Sequence, residues 1–316
     1  MRGFNAQAKR FALLLALIAT NSSAYEWQLP IGFPTPLVPA DNPMTEAKVR
    51  LGSKLFADPR LSRNGHVSCA SCHDPQRAFS DPRTRSIGAL GDELPLNSPS
   101  LWNVAYYSSL GWTDTGKRTL EAQHVLPLTN ETPVEMGLQP AQIAALWQDA
   151  TLQSEVRQAF GDVETLRLEH LTYAIASYLR TLVRAGTAFD RYLFEDDAAA
   201  LNPQQREGLE LFLSPRLNCT ACHRGSLLSG PTASETAVHE PTFYATGISS
   251  SDEAFRAPSL RFVSETAPYM HDGSMSTLSQ VIRFYENGGG QNAQHLQPFT
   301  LTERQREALI AFLLSL

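Results

Sequence analysis

Four cysteines and two histidines carry the spacing in this chain best suited to chemistry: Cys69-Ala70-Ser71-Cys72-His73 and Cys219-Thr220-Ala221-Cys222-His223. Both read C-x-x-C-H, the pattern for covalent attachment of a c-type haem. In such a site two thioethers hold the porphyrin through its vinyl groups, and the adjacent imidazole becomes the proximal iron ligand. The chain has 4 cysteines and all lie in these motifs, so none remains for a disulfide or a free thiol. Two rival chemistries fit poorly. A thioredoxin-like C-x-x-C needs a βαβ context and has no use for a following histidine in both copies. A zinc site made of two C-x-x-C pairs keeps them about 15–20 residues apart, whereas these lie in different halves of the chain. The residues point to two covalently bound haem c groups, with His73 ligating the first iron and His223 the second.

What must position these turns is read from the rest of the chain. Its 316 residues leave room for two domains of ordinary size, with one motif in each half. A net charge of −6 with 42% hydrophobic residues is an ordinary globular composition, without the basic surplus that nucleic acid binding favours. Arg2, Lys9 and Arg10 precede a short apolar run, Phe11 to Ala19, and the small residues Ser22-Ser23-Ala24. That order reads as a cleaved export signal leaving Tyr25 as the mature N-terminus. The run is too short to span a bilayer comfortably. A periplasmic mature protein without a membrane span is expected, in keeping with haem c attachment, which bacteria complete outside the cytoplasm.

Prolines at 30, 34, 36, 39 and 43 predict an extended surface arm. Thr45 can cap a helix from Glu46, with Val49, Leu51, Leu55 and Phe56 as its apolar contacts. A weak repeat follows: Arg50-Leu-Gly-Ser-Lys-Leu-Phe56 resembles Arg206-Glu-Gly-Leu-Glu-Leu-Phe212, each shortly ahead of a C-x-x-C-H, and Asn202-Pro203 opens the second helix as Asn42-Pro43 precedes the first. Apolar spacing predicts further helices over 141–146, 152–160, 168–183, 278–285 and 303–314. Phe79 to Ser100 and Gly230 to Arg256 read as loop, and no run alternates as a strand. The expected fold is mainly α, with two cytochrome c-type domains, each holding one haem c among long loops. The expected divisions are signal peptide 1–24, arm 25–44, first haem domain 45–200 and second haem domain 201–316.

Further motifs surround the two turns. They are Asn97-Ser-Pro-Ser-Leu-Trp-Asn103, Leu120-Glu-Ala-Gln123 and Pro133-Val-Glu-Met-Gly137, then Phe255-Arg-Ala-Pro-Ser-Leu-Arg261 and Thr266-Ala-Pro-Tyr-Met-His-Asp-Gly273. This set, in this order, resembles the bacterial di-haem cytochrome c peroxidase/MauG family over residues 45 to 316. The resemblance implies a peroxide-reactive, high-spin first haem and a six-coordinate, low-spin second haem. It places Gln123, Pro127 and Glu135 on the open face of the first, where a carboxylate takes a proton from H2O2 and returns it to the leaving oxygen. Burial is expected to raise the pKa of Glu135. The Pro127 to Glu135 loop is slightly longer than in typical members.

Two departures carry the reading further. Many cytochrome c peroxidases of the family place a histidine about sixteen residues past the first proximal histidine, where it blocks the oxidised iron until reduction. Here Ser86-Ile-Gly-Ala-Leu-Gly91 puts Ala89 there, and no histidine lies between His73 and His124. The first iron is expected to be five-coordinate, as in MauG. Where the peroxidases carry a methionine as second-iron ligand, this chain has Tyr285. A hard anionic oxygen favours the oxidised states of iron. Met270, Met275 and His271 are the competing ligands, with His271 read as a structural residue of its turn.

The resemblance also implies that Trp112 carries holes between the haems, and that Asn97, Thr266 and Pro268 hold a structural calcium through hard oxygen atoms. Trp102 and Trp147 are expected to pack only, and His66, His124, His170, His239 and His295 to be solvent-exposed or hydrogen-bonded. The implied activity is H2O2-dependent oxidation of a residue on a partner protein, through a high-valent state shared by both irons. The N-terminal Trp27-Gln-Leu-Pro-Ile-Gly-Phe-Pro-Thr-Pro most resembles the MbnH subgroup of methanobactin operons, which implies tryptophan oxidation to kynurenine on an MbnP-like companion. The alternatives are a cytochrome c peroxidase fed electrons by a small redox protein and a di-haem electron carrier.

Overall fold

The structure, a computed structural model, describes residues 25–248, 253–294 and 296–316. The expected export signal, 1–24, lies outside them. Helix α1 (Glu46–Phe56) opens at Thr45, whose side chain accepts from the Lys48 amide, relieving one of the unpaired donors of a first turn. The first C-x-x-C-H turn follows. Helices α2 (Leu120–Gln123), α3 (Val125–Thr129), α4 (Pro140–Leu146), α5 (Ala150–Phe160), α6 (Leu168–Arg180) and α7 (Ala188–Phe194) complete the first half. Helix α8 (Pro203–Leu213) leads into the second turn, and α9 (Leu278–Glu286) and α10 (Glu303–Leu313) close the chain. Asn202 caps α8 through the Gln205 amide, and Gln205 returns to the Asn202 amide, a reciprocal capping box.

The fold is mainly α, as the periodicity predicts. Among the described residues the one sheet pairs β1 (Phe243–Tyr244) with β2 (Phe255–Arg256), antiparallel. It falls in the stretch expected as loop, and two-residue strands are too short to show alternation. Helix α6 stops at Arg180, short of the expected Val183. The backbone beyond it is claimed by Asn103, whose amides reach the carbonyls of Leu182 and Arg184 at 2.8 and 3.0 Å. Helices α2 and α3, of 4 and 5 residues, are too short to establish a period, and α7 carries none in the sequence.

The N-terminal arm is extended and runs along the surface, anchored by the buried side chains of Phe33, Pro36, Asn42 and Met44. Phe33 is buried between the rings of Tyr106 and Phe194, at 5.8 and 6.2 Å. A proline-rich backbone leaves its carbonyls without internal partners, and here they are used: Tyr106 donates to Pro34 at 2.7 Å and Arg180 to Leu37 at 3.1 Å.

Two hydrophobic clusters form the interior. One gathers α1, α2, α5 and α6 around Leu51, Leu55, Leu171 and Ile175; the other gathers α8, α9 and α10 around Leu209, Ile282 and Phe312. The sequence repeat has a steric counterpart. A Cβ on Gly52 would stand 1.9 Å from the Ala174 carbonyl oxygen, and one on Gly208 would stand 2.0 Å from that of Ala308. Each half thus crosses the helix before its C-x-x-C-H turn over a later helix, at the same glycine of the repeat. Only a missing side chain permits backbones so close.

Candidate functional site

The two C-x-x-C-H segments fold alike. Each is a single 3-10 turn, Cys69–Ser71 and Cys219–Ala221. In both, the histidine amide returns to the carbonyl of the first cysteine at 2.9 Å. The His73 Nδ1 faces the carbonyls of Phe79 and Pro99 at 3.0 and 3.1 Å, and the His223 Nδ1 faces that of Leu228 at 2.8 Å. A ring nitrogen against a carbonyl carries the hydrogen, which leaves the Nε2 lone pair free for a metal. Burial lowers both imidazole pKa values, keeping the rings neutral and able to ligate. It pushes the Cys69 thiol up to about 12, and those of Cys219 and Cys222 up to about 11.

This donor set fits a haem c at each turn. The four thiols are unpaired, and among the described residues buried polar atoms without a hydrogen-bond partner fall nearby. Ser229 Oγ follows the Leu228 carbonyl that orients His223, and Trp102 Nε1 belongs to the ring packed 5.0 Å from Phe79.

Helices α2 and α3 carry Gln123 and Pro127, and the loop bearing Glu135 doubles back onto them. The Met136 amide donates to Pro127 at 2.9 Å and the Leu138 amide to Leu128 at 2.7 Å. Gln123 Oε1 accepts from Thr115 at 3.4 Å. Glu135 is desolvated and its pKa is raised by that burial; its charge in turn raises the Cys72 thiol. Glu135 and Pro127 therefore share one region with the first attachment turn, and Gln123 stands four residues before Pro127, at the end of α2. Ala89 joins it, through a hydrogen bond from its amide to the Glu135 carbonyl.

Tyr285 stands on α9, desolvated, and close enough to Cys219 and Cys222 for their charges to raise its pKa further. Its competitors lie in the turn that Tyr269 and Met275 close by pairing. His271 there stacks flat on Phe255 with centroids 3.5 Å apart. Trp112 is buried at the seam of the two halves: its Nε1 donates to the Asn97 carbonyl at 2.7 Å, and its own carbonyl accepts from the Arg256 amide at 2.7 Å.

The Asn97 side-chain amide donates to the carbonyls of Arg83 and Thr84 at 3.0 and 3.3 Å, leaving its oxygen for another partner. Thr266 donates from its hydroxyl to Val263, and Pro268 follows a cis peptide bond. Among the described residues no three His, Cys, Asp or Glu side chains gather as a metal site. A calcium ion here would rest on amide and carbonyl oxygens.

Two residues were missed or misread from sequence. Arg256 is buried, with its guanidinium 4.3 Å from the Tyr107 ring and 5.9 Å from that of Trp112; the Phe255 to Arg261 motif was its only signal. His124 is not exposed, and its Nδ1 is not hydrogen-bonded. Helical spacing from Glu121 turns it inward, a point no composition reveals.

Comparison with known proteins gives a consistent picture. Residues 46–198 match the family model described as di-haem cytochrome c peroxidase. The chain is 35% identical over 286 residues to the methylamine utilization protein MauG of Methylorubrum extorquens, covering 87% of this chain and 79% of that one. It is 32% identical to the cytochrome c551 peroxidase of Nitrosomonas europaea, covering 78% and 74%. A crystal structure of a MauG-like protein associated with microbial copper homeostasis superposes with a TM-score of 0.86 at 33% identity, covering 92% of this chain and 95% of that one.

Proposed function

The chain belongs to the di-haem cytochrome c peroxidase/MauG family, whose members are oxidoreductases acting with peroxide, and from that premise we propose that it is an exported MauG-type oxidase of a partner protein. The halves 45–200 and 201–316 each hold one haem c, the first through Cys69, Cys72 and His73, the second through Cys219, Cys222, His223 and Tyr285. When bound, the haems supply the iron at which peroxide is reduced and the oxidising equivalents are held. Glu135 takes the first proton of H2O2 and delivers it to the leaving oxygen, a transfer that a carboxyl with a raised pKa performs near neutral pH. Gln123 orients the peroxide and Pro127 walls the pocket. Trp112, joined by hydrogen bonds to both halves, passes the electron between them.

The observation that carries the oxidase reading is Tyr285, a half-buried residue with a desolvated phenol beside the second attachment turn, where the resemblance implies a methionine in the peroxidases. An oxygen ligand disfavours the reduced iron that an electron-entry site requires. The partner is a periplasmic protein, with tryptophan as the oxidised residue and kynurenine as its product. An MbnP-like companion is part of the proposal, on the resemblance of the Trp27 segment to the MbnH subgroup. Calcium at Asn97, Thr266 and Pro268 is part of the same proposal. Adding H2O2 to the diferric protein tests it: long-lived optical changes at both haems, without prior reduction, are expected. If peroxide acts only after one haem has been reduced, the protein is a cytochrome c peroxidase instead.

A further inference from the structure

His124 lies at the junction of α2 and α3, between Gln123 and the turn that carries Pro127. Its position, three residues past the buried Glu121 and four before the buried Leu128, turns the ring inward. Nδ1 is buried and has no hydrogen-bond partner among the described residues. The Leu120 carbonyl one turn back approaches the ring without completing a bond. An orphaned buried nitrogen is destabilising unless something outside the protein chain satisfies it, so the site asks for a partner.

The groups that face this imidazole identify the space it shares. They are Glu121 on α2, Arg180 on α6, and His73 on the first attachment turn, whose charge is felt at His124. Glu121 is already engaged, bidentate with Arg180 at 2.6 and 2.7 Å and accepting from Asn42 at 2.6 Å. Lys48 is held by Asn42 and the Pro43 carbonyl, both at 2.9 Å. These groups are bonded to one another, and none of them is hydrogen-bonded to His124 Nδ1. Desolvation lowers the pKa of His124 to about 4, aided by His73 and Arg180. The ring is therefore neutral at physiological pH, with one nitrogen to donate and one to accept.

We propose that His124 is a hydrogen-bonding residue of the first haem pocket, holding a small ligand such as peroxide at the open iron position beside Gln123. The inference rests on the reading of that pocket given above. It restores an imidazole to the first site from a different element than the segment around Ala89, and in a different role: a partner of the ligand, in place of a blocker of the iron.

The test uses the diferric holoprotein with cyanide and azide as probes, and reads affinity and spin state apart from turnover. His124→Ala is expected to weaken azide and cyanide at the first haem about three- to tenfold, the worth of one hydrogen bond. The high-spin signal of that haem and the low-spin signal of the second should stay unchanged. His124→Gln, which keeps a donor and an acceptor, is expected to recover part of the affinity, and it serves as the test should the alanine variant fail to load haem. Equal affinity in wild type and both variants overturns the proposal. So does a wild-type first haem that is low-spin and becomes high-spin in His124→Ala, because His124 is then an iron ligand. A wild-type protein that takes no cyanide at the first haem overturns the open-pocket reading itself, and this inference with it.

Discussion

The amide of Ala89 donates to the carbonyl of Glu135 at 2.7 Å, and the Ala89 carbonyl accepts from the Asn64 side chain at 2.5 Å. The amide of Ala89 thus holds its segment against the loop that carries Glu135, and its carbonyl ties the segment to the stretch before the first attachment turn. Asp92 adds two ties, from its carbonyl to the Gly88 amide at 2.8 Å and from its carboxylate to the Val134 amide at 3.2 Å. The stretch around Ala89 is here pinned, and Ala89 itself is buried.

Gly88→Ala should disturb this arrangement. An added Cβ would stand 1.8 Å from the Val134 carbonyl oxygen, so one backbone must move, at a cost of roughly 1–3 kcal/mol. A lowered melting temperature together with a slower peroxide reaction is the expected pair of results. A variant with normal melting and normal reaction would show that the contact does not position Glu135.

Glu135→Gln should slow the reaction with H2O2 by about 10²- to 10⁴-fold, the usual worth of a placed acid–base group. In wild type the rate should rise with pH through a pKa above the ordinary 4.5, because burial raises the Glu135 carboxyl. The stability sign is opposite. A folded-state pKa above the unfolded one means that the native protein holds the proton more tightly, so this group's contribution is lost as pH rises through the folded value. Glu135→Gln should therefore be the more stable protein at neutral pH, measured by urea unfolding.

Tyr285→Phe should alter the low-spin signal of the second haem and leave the high-spin signal of the first unchanged, read by electron paramagnetic resonance. The ring stays and only the hydroxyl goes, so melting should shift little beyond the lost ligand bond. An unchanged low-spin signal would remove Tyr285 as a ligand and turn attention to Met270 or Met275.

Arg180→Ala should cost roughly 3–5 kcal/mol, because it strands the buried Glu121 carboxylate. The double change Glu121→Met with Arg180→Met should recover much of that loss, since the pair fills volume that apolar groups can also fill. Burial alone would raise the Glu121 pKa, but the Arg180 guanidinium and Asn42 outweigh it and the net shift is downward. The stability due to this carboxylate is present above the unfolded pKa and lost as pH falls through the folded one. Acid unfolding of wild type, compared with the double variant, measures it.

Gly52→Ala and Gly208→Ala should each destabilise the protein by roughly 1–3 kcal/mol, since both Cβ atoms would meet a helix carbonyl, at 1.9 and 2.0 Å. Similar losses in urea unfolding would make the two helix crossings equivalent units. A loss at one site alone would mean that the repeat is sequence likeness without shared packing.

By itself the sequence determined what is local or covalent. Two C-x-x-C-H turns, the Thr45 and Asn202 caps, the long amphipathic helices and the glycine repeat all follow from neighbours within a few residues, where backbone geometry leaves little choice. The mainly α fold followed from the same periodicities. Tertiary structure decided whatever depends on partners far apart in the chain. Asn103 ends α6 early by taking the carbonyls of Leu182 and Arg184, some eighty residues away. The proline arm is fastened to the first half because Tyr106 and Arg180 use its free carbonyls. His124 became a candidate of the first pocket only once α2 and α3 were folded against α6 and the first attachment turn. A histidine's chemistry is set by what surrounds it, and a sequence specifies those surroundings only through its fold.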